Sequence, residues 1–230
     1  MCMNVKPLRD IKKPPRTIPE PLPDPRAEQP FLWLISAKVA SGKSVLISNL
    51  LARPWGYKQY FDRVYFCSSN VADGKVYDVA YSTLHLNKDR IYDDFNAQIF
   101  DEIVQDIRED DDDEAHYLLV IDDLPTELNK RSSRIVKHLL KHRHLRLSII
   151  CVTQKLNLLN LSIRSNASHV CVFRTMNRNE RDSLATLTDL DEKVFLEILD
   201  EATEEKHAFL FMVLSRNPLQ LWRNFTEQIL

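Results

Sequence analysis

The sequence predicts an α/β fold: a central, mostly parallel sheet flanked by helices and finished by a C-terminal hairpin. Three observations predict it. Predominantly apolar runs of strand length recur at Phe31–Ile35, Tyr117–Ile121 and Leu147–Thr153. Runs without polar alternation belong to strands buried on both faces, as in a parallel sheet. Patterns with helical spacing separate them, for example Phe95, Ile99, Ile103 and Ile107. Near the end, Ala208–Val213 and Leu219–Phe225 flank Ser215-Arg216-Asn217-Pro218, which reads as a hairpin.

A chain of 230 residues suffices for one sizeable domain. Residues 30–230 are assigned to it. Residues 1–29 read as an extended, partly disordered arm, because eight of the eleven prolines fall within the first thirty positions. Net charge is −2, so charge alone implies no global attraction to nucleic acid. No apolar run approaches the length of a membrane span, and the start of the chain has no signal-peptide core. Cys2, Cys67, Cys151 and Cys171 are far apart, three of them inside strand-like runs, which reads as reduced core thiols in a reducing compartment.

The first apolar run leads into Ala37-Lys38-Val39-Ala40-Ser41-Gly42-Lys43-Ser44, and a helical pattern from Val45 to Leu51 follows. Strand, loop, Gly-Lys-Ser and helix is the context of a phosphate-binding loop. Backbone N–H groups of residues 37–45 and the helix N-terminus would face phosphate oxygens. Lys43 would reach the β- and γ-phosphates, and the Ser44 hydroxyl would sit on Mg²⁺. Ala37 and Ala40 stand where glycine is usual. Alanine fits such a position only where φ stays negative.

The second strand is Arg63–Cys67, and residues 68–90 are loop-like. A helix is expected from about Tyr92 to Arg108. The acidic run Glu109–Glu114 reads as a solvated loop rather than a metal site. The third strand, Tyr117–Ile121, ends in Asp122-Asp123. Carboxylates at the C-terminal end of a buried strand lie where open α/β sheets bind ligands. This is the Walker B form: Asp122 would hold Mg²⁺ and Asp123 would orient or deprotonate the attacking water. Together with the loop at 37–44 it specifies a P-loop NTPase that binds ATP and Mg²⁺.

Residues 130–146 are expected to form one basic helix, with Arg131, Arg134, His138 and Lys141 on one face. That face is open to two readings: a solvated surface, or a contact with DNA phosphates or a neighbour's nucleotide. The fourth strand, Leu147–Thr153, ends in Gln154, a donor and acceptor suited to sensing the γ-phosphate and the attacking water. Residues 155–167 read as a loop and His169–Phe173 as the fifth strand. Helices are expected at Asn179–Leu187 and Leu190–Leu199, the second capped by Asp189. Trp222 and Phe225 are expected in the core.

Three stretches, Ala37–Ser44, Leu118–Asp123 and His144–Asn166, carry a resemblance to the additional-strand (ASCE) class of P-loop ATPases. Within it the chain resembles the FtsK–HerA group, and most closely the viral genome-packaging ATPases of poxviruses, giant viruses, virophages and polinton-like viruses. The resemblance covers about residues 30–175. It implies a sheet ordered 5-1-4-3-2, with the sensor strand between the two Walker strands. It implies an ATP-hydrolysing motor that packages double-stranded DNA into a capsid, works as a homo-oligomeric ring and meets capsid or portal-vertex proteins. The setting implied is host cytoplasm, virus factory or virion, without a membrane. One residue at a time, Lys43 and Ser44 take the phosphate and Mg²⁺ roles, Asp122 the Walker B role, Asp123 that of catalytic acid and Gln154 that of sensor. An arginine reaching a neighbour's ATP is also implied. Arg143, Arg146 and Arg164 are candidates, and Arg164 is favoured. A related helicase or mobilisation ATPase, or a nucleotide-binding scaffold without turnover, are the alternative readings.

Overall fold

The computed structural model describes residues 30–53, 56–58, 60–69, 81, 87–124, 126–129 and 134–230. The proline-rich arm, Cys2, most of the loop after the second strand, and Lys130 and Arg131 lie outside the described residues. The elements run β1 (Leu32–Ser36), α1 (Lys43–Ala52), β2 (Arg63–Ser68), β3 (Ile91–Tyr92), α2 (Ala97–Arg108), β4 (Tyr117–Asp122), α3 (Thr126–Asn129), α4 (Arg134–Leu139) and β5 (Leu147–Thr153). They continue with α5 (Leu161–Ser165), β6 (His169–Phe173), α6 (Arg178–Ala185), α7 (Glu192–Ala202), β7 (Phe209–Val213), β8 (Gln220–Arg223) and β9 (Glu227–Gln228).

One nine-stranded sheet results, ordered β3-β2-β4-β5-β1-β6-β7-β8-β9. The five expected strands keep the order 5-1-4-3-2, all parallel. The full sheet is wider than expected. β3 pairs in parallel on β2, and β7, β8 and β9 extend the far edge antiparallel. The C-terminal hairpin is thus continuous with the parallel sheet. β5 lies between β1 and β4, so the strands carrying the loop and the acid pair both flank the strand that ends at Gln154.

Side chains of β1 and β4 alternate between two cores. Leu32, Leu34, Leu119 and Ile121 face α2, α4, α6 and α7; Trp33, Ile35, Leu118 and Val120 face α1 and the aromatic residues of the hairpin. Burial on both faces is why these strands read as continuous apolar runs. Cys67, Cys151 and Cys171 are buried free thiols, as expected. Burial pushes the Cys151 thiol up to about 12 and raises the Cys67 and Cys171 thiols as well.

Four local expectations are corrected. Residues 91–92 are strand, and α2 begins at Ala97, because the Asn96 side chain accepts from the Ile99 N–H and caps it there. The basic segment is not one helix. α4 ends at Leu139, a 3₁₀ turn spans His142–Leu145, and Arg146 is left-handed with φ 52°. Residues 155–167 contain a 3₁₀ turn and α5. Asp191, not Asp189, caps α7, accepting from the N–H groups of Lys193 and Val194. Within the acidic run, Asp110 turns back to pair with Arg63 at 2.8 Å.

Candidate nucleotide-binding site

The site is assembled at the C-terminal ends of β1, β4 and β5. Ala37 is buried and continues the sheet, its N–H donating to the Thr153 carbonyl at 3.0 Å. The chain then turns outward. The Ser41 N–H bonds the Lys38 carbonyl at 3.2 Å, Val39 is 73% exposed, and Ala40 and Gly42 take φ of 63° and 103°. Glycine at position 42 meets the left-handed requirement without strain, and alanine at position 40 does not. Ala37, by contrast, needs no positive φ. Gly42 is the N-cap of α1, which opens with Lys43 and Ser44 and buries Leu46, Ile47, Leu50 and Leu51. With no acid in its first turn, that helix end keeps its N–H groups and its partial positive charge for an anion.

Lys43 Nζ lies 3.0 Å from Asp123 Oδ2 and 3.7 Å from Asp122 Oδ1. Asp122 is only 1% exposed, and the Ser68 hydroxyl approaches its Oδ2 at 3.4 Å. Asp123 leaves the strand with φ 60°, its N–H held by the Val152 carbonyl at 3.0 Å. That left-handed turn aims its side chain back over the loop. Gln154 Nε2 donates to Asp123 Oδ2 at 2.8 Å. Four predicted residues from three strand ends therefore converge.

A cavity of about 420 Å³ is lined by Val39, Ala40, Gly42, Lys43, Ser44, Val45, Asp123 and His207. A second, of about 510 Å³, shares Gly42, Val45 and His207 with it and adds Phe173, Phe209, Asn224 and Phe225. Phe225 is thus both buried, as expected, and a cavity wall.

His207 is a site residue that sequence reasoning misses. Its Nδ1 lies 3.0 Å from the Ser41 carbonyl, bracing the loop from the segment before β7. Nothing in the sequence marks a contact across 166 positions. Arg164 sits on α5, in the crossover from β5 to β6, with its Nε buried and without a hydrogen-bond partner. It is not among the residues lining either cavity. Arg143 and Arg146 precede β5, at the end of that strand opposite Gln154. Arg146 is held within the chain, donating to the Asp112 carbonyl at 2.8 Å and lying over the Tyr117 ring.

Residues 26–213 match the Poxvirus A32 protein family. The chain belongs to that family. No individually curated protein matches the sequence. Among solved structures, this A32 family member is similar to the genome packaging NTPase B204 of Sulfolobus turreted icosahedral virus 2 in complex with AMPPCP. The TM-score is 0.64 at 16% identity, covering 86% of this chain and 98% of that one. The DNA-packaging ATPase B204 of Sulfolobus turreted icosahedral virus gives 0.62 at 17% identity over the same shares. The conjugation coupling protein TcpA of pCW3, with ATPγS, gives 0.55 at 16% identity, over 80% of this chain and 57% of that one. At such identities these likenesses establish the fold alone. Among the described residues, no helix is long and apolar enough to cross a membrane.

Proposed function

We propose that this A32 family member is the ATP-hydrolysing motor of viral genome packaging, driving double-stranded DNA into a capsid. The observation that carries the reading is the convergence of Lys43 and Gln154 on one oxygen of Asp123, at 3.0 and 2.8 Å, beside the phosphate-loop cavity. The family and the fold shared with the B204 packaging ATPases support the same activity.

The chemistry follows from the residues. Backbone N–H groups of the 37–45 loop and the head of α1 take the triphosphate. Lys43 contributes its charge to the β- and γ-phosphates. Asp123 takes or orients the hydrogen of the attacking water. Gln154 spends its N–H on Asp123, which leaves its carbonyl oxygen to accept from that water. The adjoining cavity, walled by Phe173, Phe209 and Phe225, seats the base. Asn224 Oδ1 is engaged by the Phe209 N–H at 3.0 Å, which leaves its side-chain amide hydrogens for a ring nitrogen or carbonyl of the base.

A buried carboxylate facing a lysine, with a hydroxyl at the head of α1, is an oxygen donor set that fits Mg²⁺. That ion takes few protein ligands and completes its shell with phosphate and water. Ser44 and Asp122 would hold it, and it would supply charge neutralisation at the β- and γ-oxygens. Arg164 acts in trans on a neighbour's nucleotide within a homo-oligomeric ring. The exposed cations Arg134, Lys137, Lys141 and Arg143 contact DNA phosphates. Portal-vertex or capsid proteins dock the ring, in the host cytoplasm, a virus factory or the virion.

The test is ATP turnover by the full chain with and without duplex DNA. Turnover that rises with duplex DNA and is lost in Lys43→Ala is expected. ATP binding without turnover in either condition leaves the scaffold reading. Stimulation by single strands but not duplex favours a helicase.

A further inference from the structure

Glu180 is 1% exposed and plays no part in the site described so far. Its Oε1 accepts from the Ser36 hydroxyl at 2.6 Å and from the Leu156 N–H at 2.6 Å, and its Oε2 from the Asn157 N–H at 3.3 Å. Ser36 is the last residue of β1, one position before the phosphate loop. Leu156 and Asn157 open the turn two positions after Gln154. One buried carboxylate thus ties the root of the loop to the root of the sensor, from a third element.

Its placement on α6 argues that this tie is its task. Asn177 caps α6 and accepts from the Glu180 N–H at 3.0 Å. Asn-x-x-Glu is a capping-box spacing, in which the acid normally turns back to the N-cap N–H. Here the Asn177 N–H goes to the Thr175 hydroxyl at 3.4 Å instead, and the acid is sent into the protein. Arg181, the next residue, forks onto both oxygens of Asp200 on α7, at 2.5 and 2.8 Å. The carboxylate therefore stands on a braced helix. Burying an acid among neutral donors costs desolvation that each hydrogen bond only partly offsets, so an apolar residue there would serve packing better.

We infer that Glu180 is a positioning residue that holds the phosphate loop and the Gln154 turn in one register, and so governs the hydrolytic step rather than nucleotide affinity. This rests on reading Gln154 as the residue that orients the attacking water.

The test compares kcat with the dissociation constant for ATP, alongside thermal melting. Glu180→Ala is expected to lower kcat by about ten- to a hundred-fold, since small misplacements at a reacting centre have effects of that order. Its ATP affinity should stay within about three-fold, separating ground-state binding from the chemical step. Glu180→Gln keeps an acceptor for Ser36 and Leu156 and should restore most of kcat. Should Glu180→Ala not fold, Ser36→Ala removes one donor without burying an unpaired charge, and should lower kcat with melting unchanged. A Ser36→Ala protein with wild-type kcat, or a folded Glu180→Ala that loses affinity and kcat in parallel, overturns the inference. Gln154→Ala separates the two readings. If it keeps full turnover, the sensor assignment fails; if it loses turnover while the Glu180 and Ser36 variants do not, the positioning role fails.

Discussion

Gln154 Nε2 donates to Asp123 Oδ2 across 2.8 Å. The acid proposed to orient the attacking water is thereby held by a neighbour one strand away, and its rotamer is set before substrate binds. Asp123→Asn keeps the shape but removes the charge: with its oxygen left on Lys43 and Gln154, an NH₂ stands in place of Oδ1 and cannot accept a hydrogen from water. Turnover is expected to fall by about 10²- to 10⁴-fold, the usual worth of a positioned acid or base. Nucleotide binding should survive, because the loop and α1 carry it. Single-turnover hydrolysis with equilibrium nucleotide titration checks both halves. Unchanged hydrolysis removes Asp123 from the mechanism.

Ala40 holds φ 63° in the phosphate loop. For an alanine the left-handed region costs about 1–2 kcal/mol relative to the right-handed one. Glycine there relieves the strain but adds freedom to the unfolded chain, so the net gain expected of Ala40→Gly is about 0.5–1 kcal/mol. Urea denaturation measures it. Ala37→Gly should go the other way, since Ala37 is buried in extended backbone where a Cβ packs and glycine only adds unfolded-state entropy.

How much of this was legible in the sequence follows from the range of each interaction. Lys43, Ser44, Asp122 and Asp123 are readable because consecutive residues at a strand end share one location whatever the rest of the fold does. The sheet order came from resemblance, and the pairing of β5 between β1 and β4 bears it out. The break after Leu139 was not legible. No glycine or proline marks it, and Arg146 takes φ 52° because its side chain is anchored at Asp112 and Tyr117, far away in sequence. Glu180 and His207 were equally hidden, since contacts across 144 and 166 positions leave no local pattern.

Val45 is 55% exposed and lines both cavities. Val45→Phe should crowd the base seat without disturbing the core. The expected result is an ATP dissociation constant raised about ten-fold, equivalent to about 1.4 kcal/mol. Inorganic tripolyphosphate, which has no base, should still compete as it does with the wild type. Equal losses for both ligands would place the base elsewhere.

Lys137, Lys141 and Arg143 are exposed on the segment before β5. Each phosphate contact removed should lower the slope of log affinity against log salt by about one. The triple alanine variant is therefore expected to bind duplex DNA more weakly and with a shallower salt dependence. An unchanged slope makes this face a solvated surface.

His142 gives the fold a pH dependence in a window of its own. Burial is the main influence and lowers its pKa from the ordinary 6.5, and Arg143 pushes the same way, while the bond to the Leu147 carbonyl opposes it. Nδ1 lies 2.7 Å from that carbonyl oxygen, so the neutral ring donates there. The folded protein thus holds the proton less tightly than the unfolded chain does. The stability this contributes is fully present above the unfolded value of 6.5 and is lost as pH falls through the lower, folded value. Asp106 and Asp200 are also lowered, from 3.8, so their contributions persist until the solution is more acidic. Urea denaturation from about pH 7.5 down to about pH 5 should show falling stability in the wild type. His142→Gln cannot titrate but can still donate to Leu147, so its curve should be flatter and the gap between the two proteins should narrow toward acid. Parallel curves would mean that His142 keeps the same proton affinity in both states.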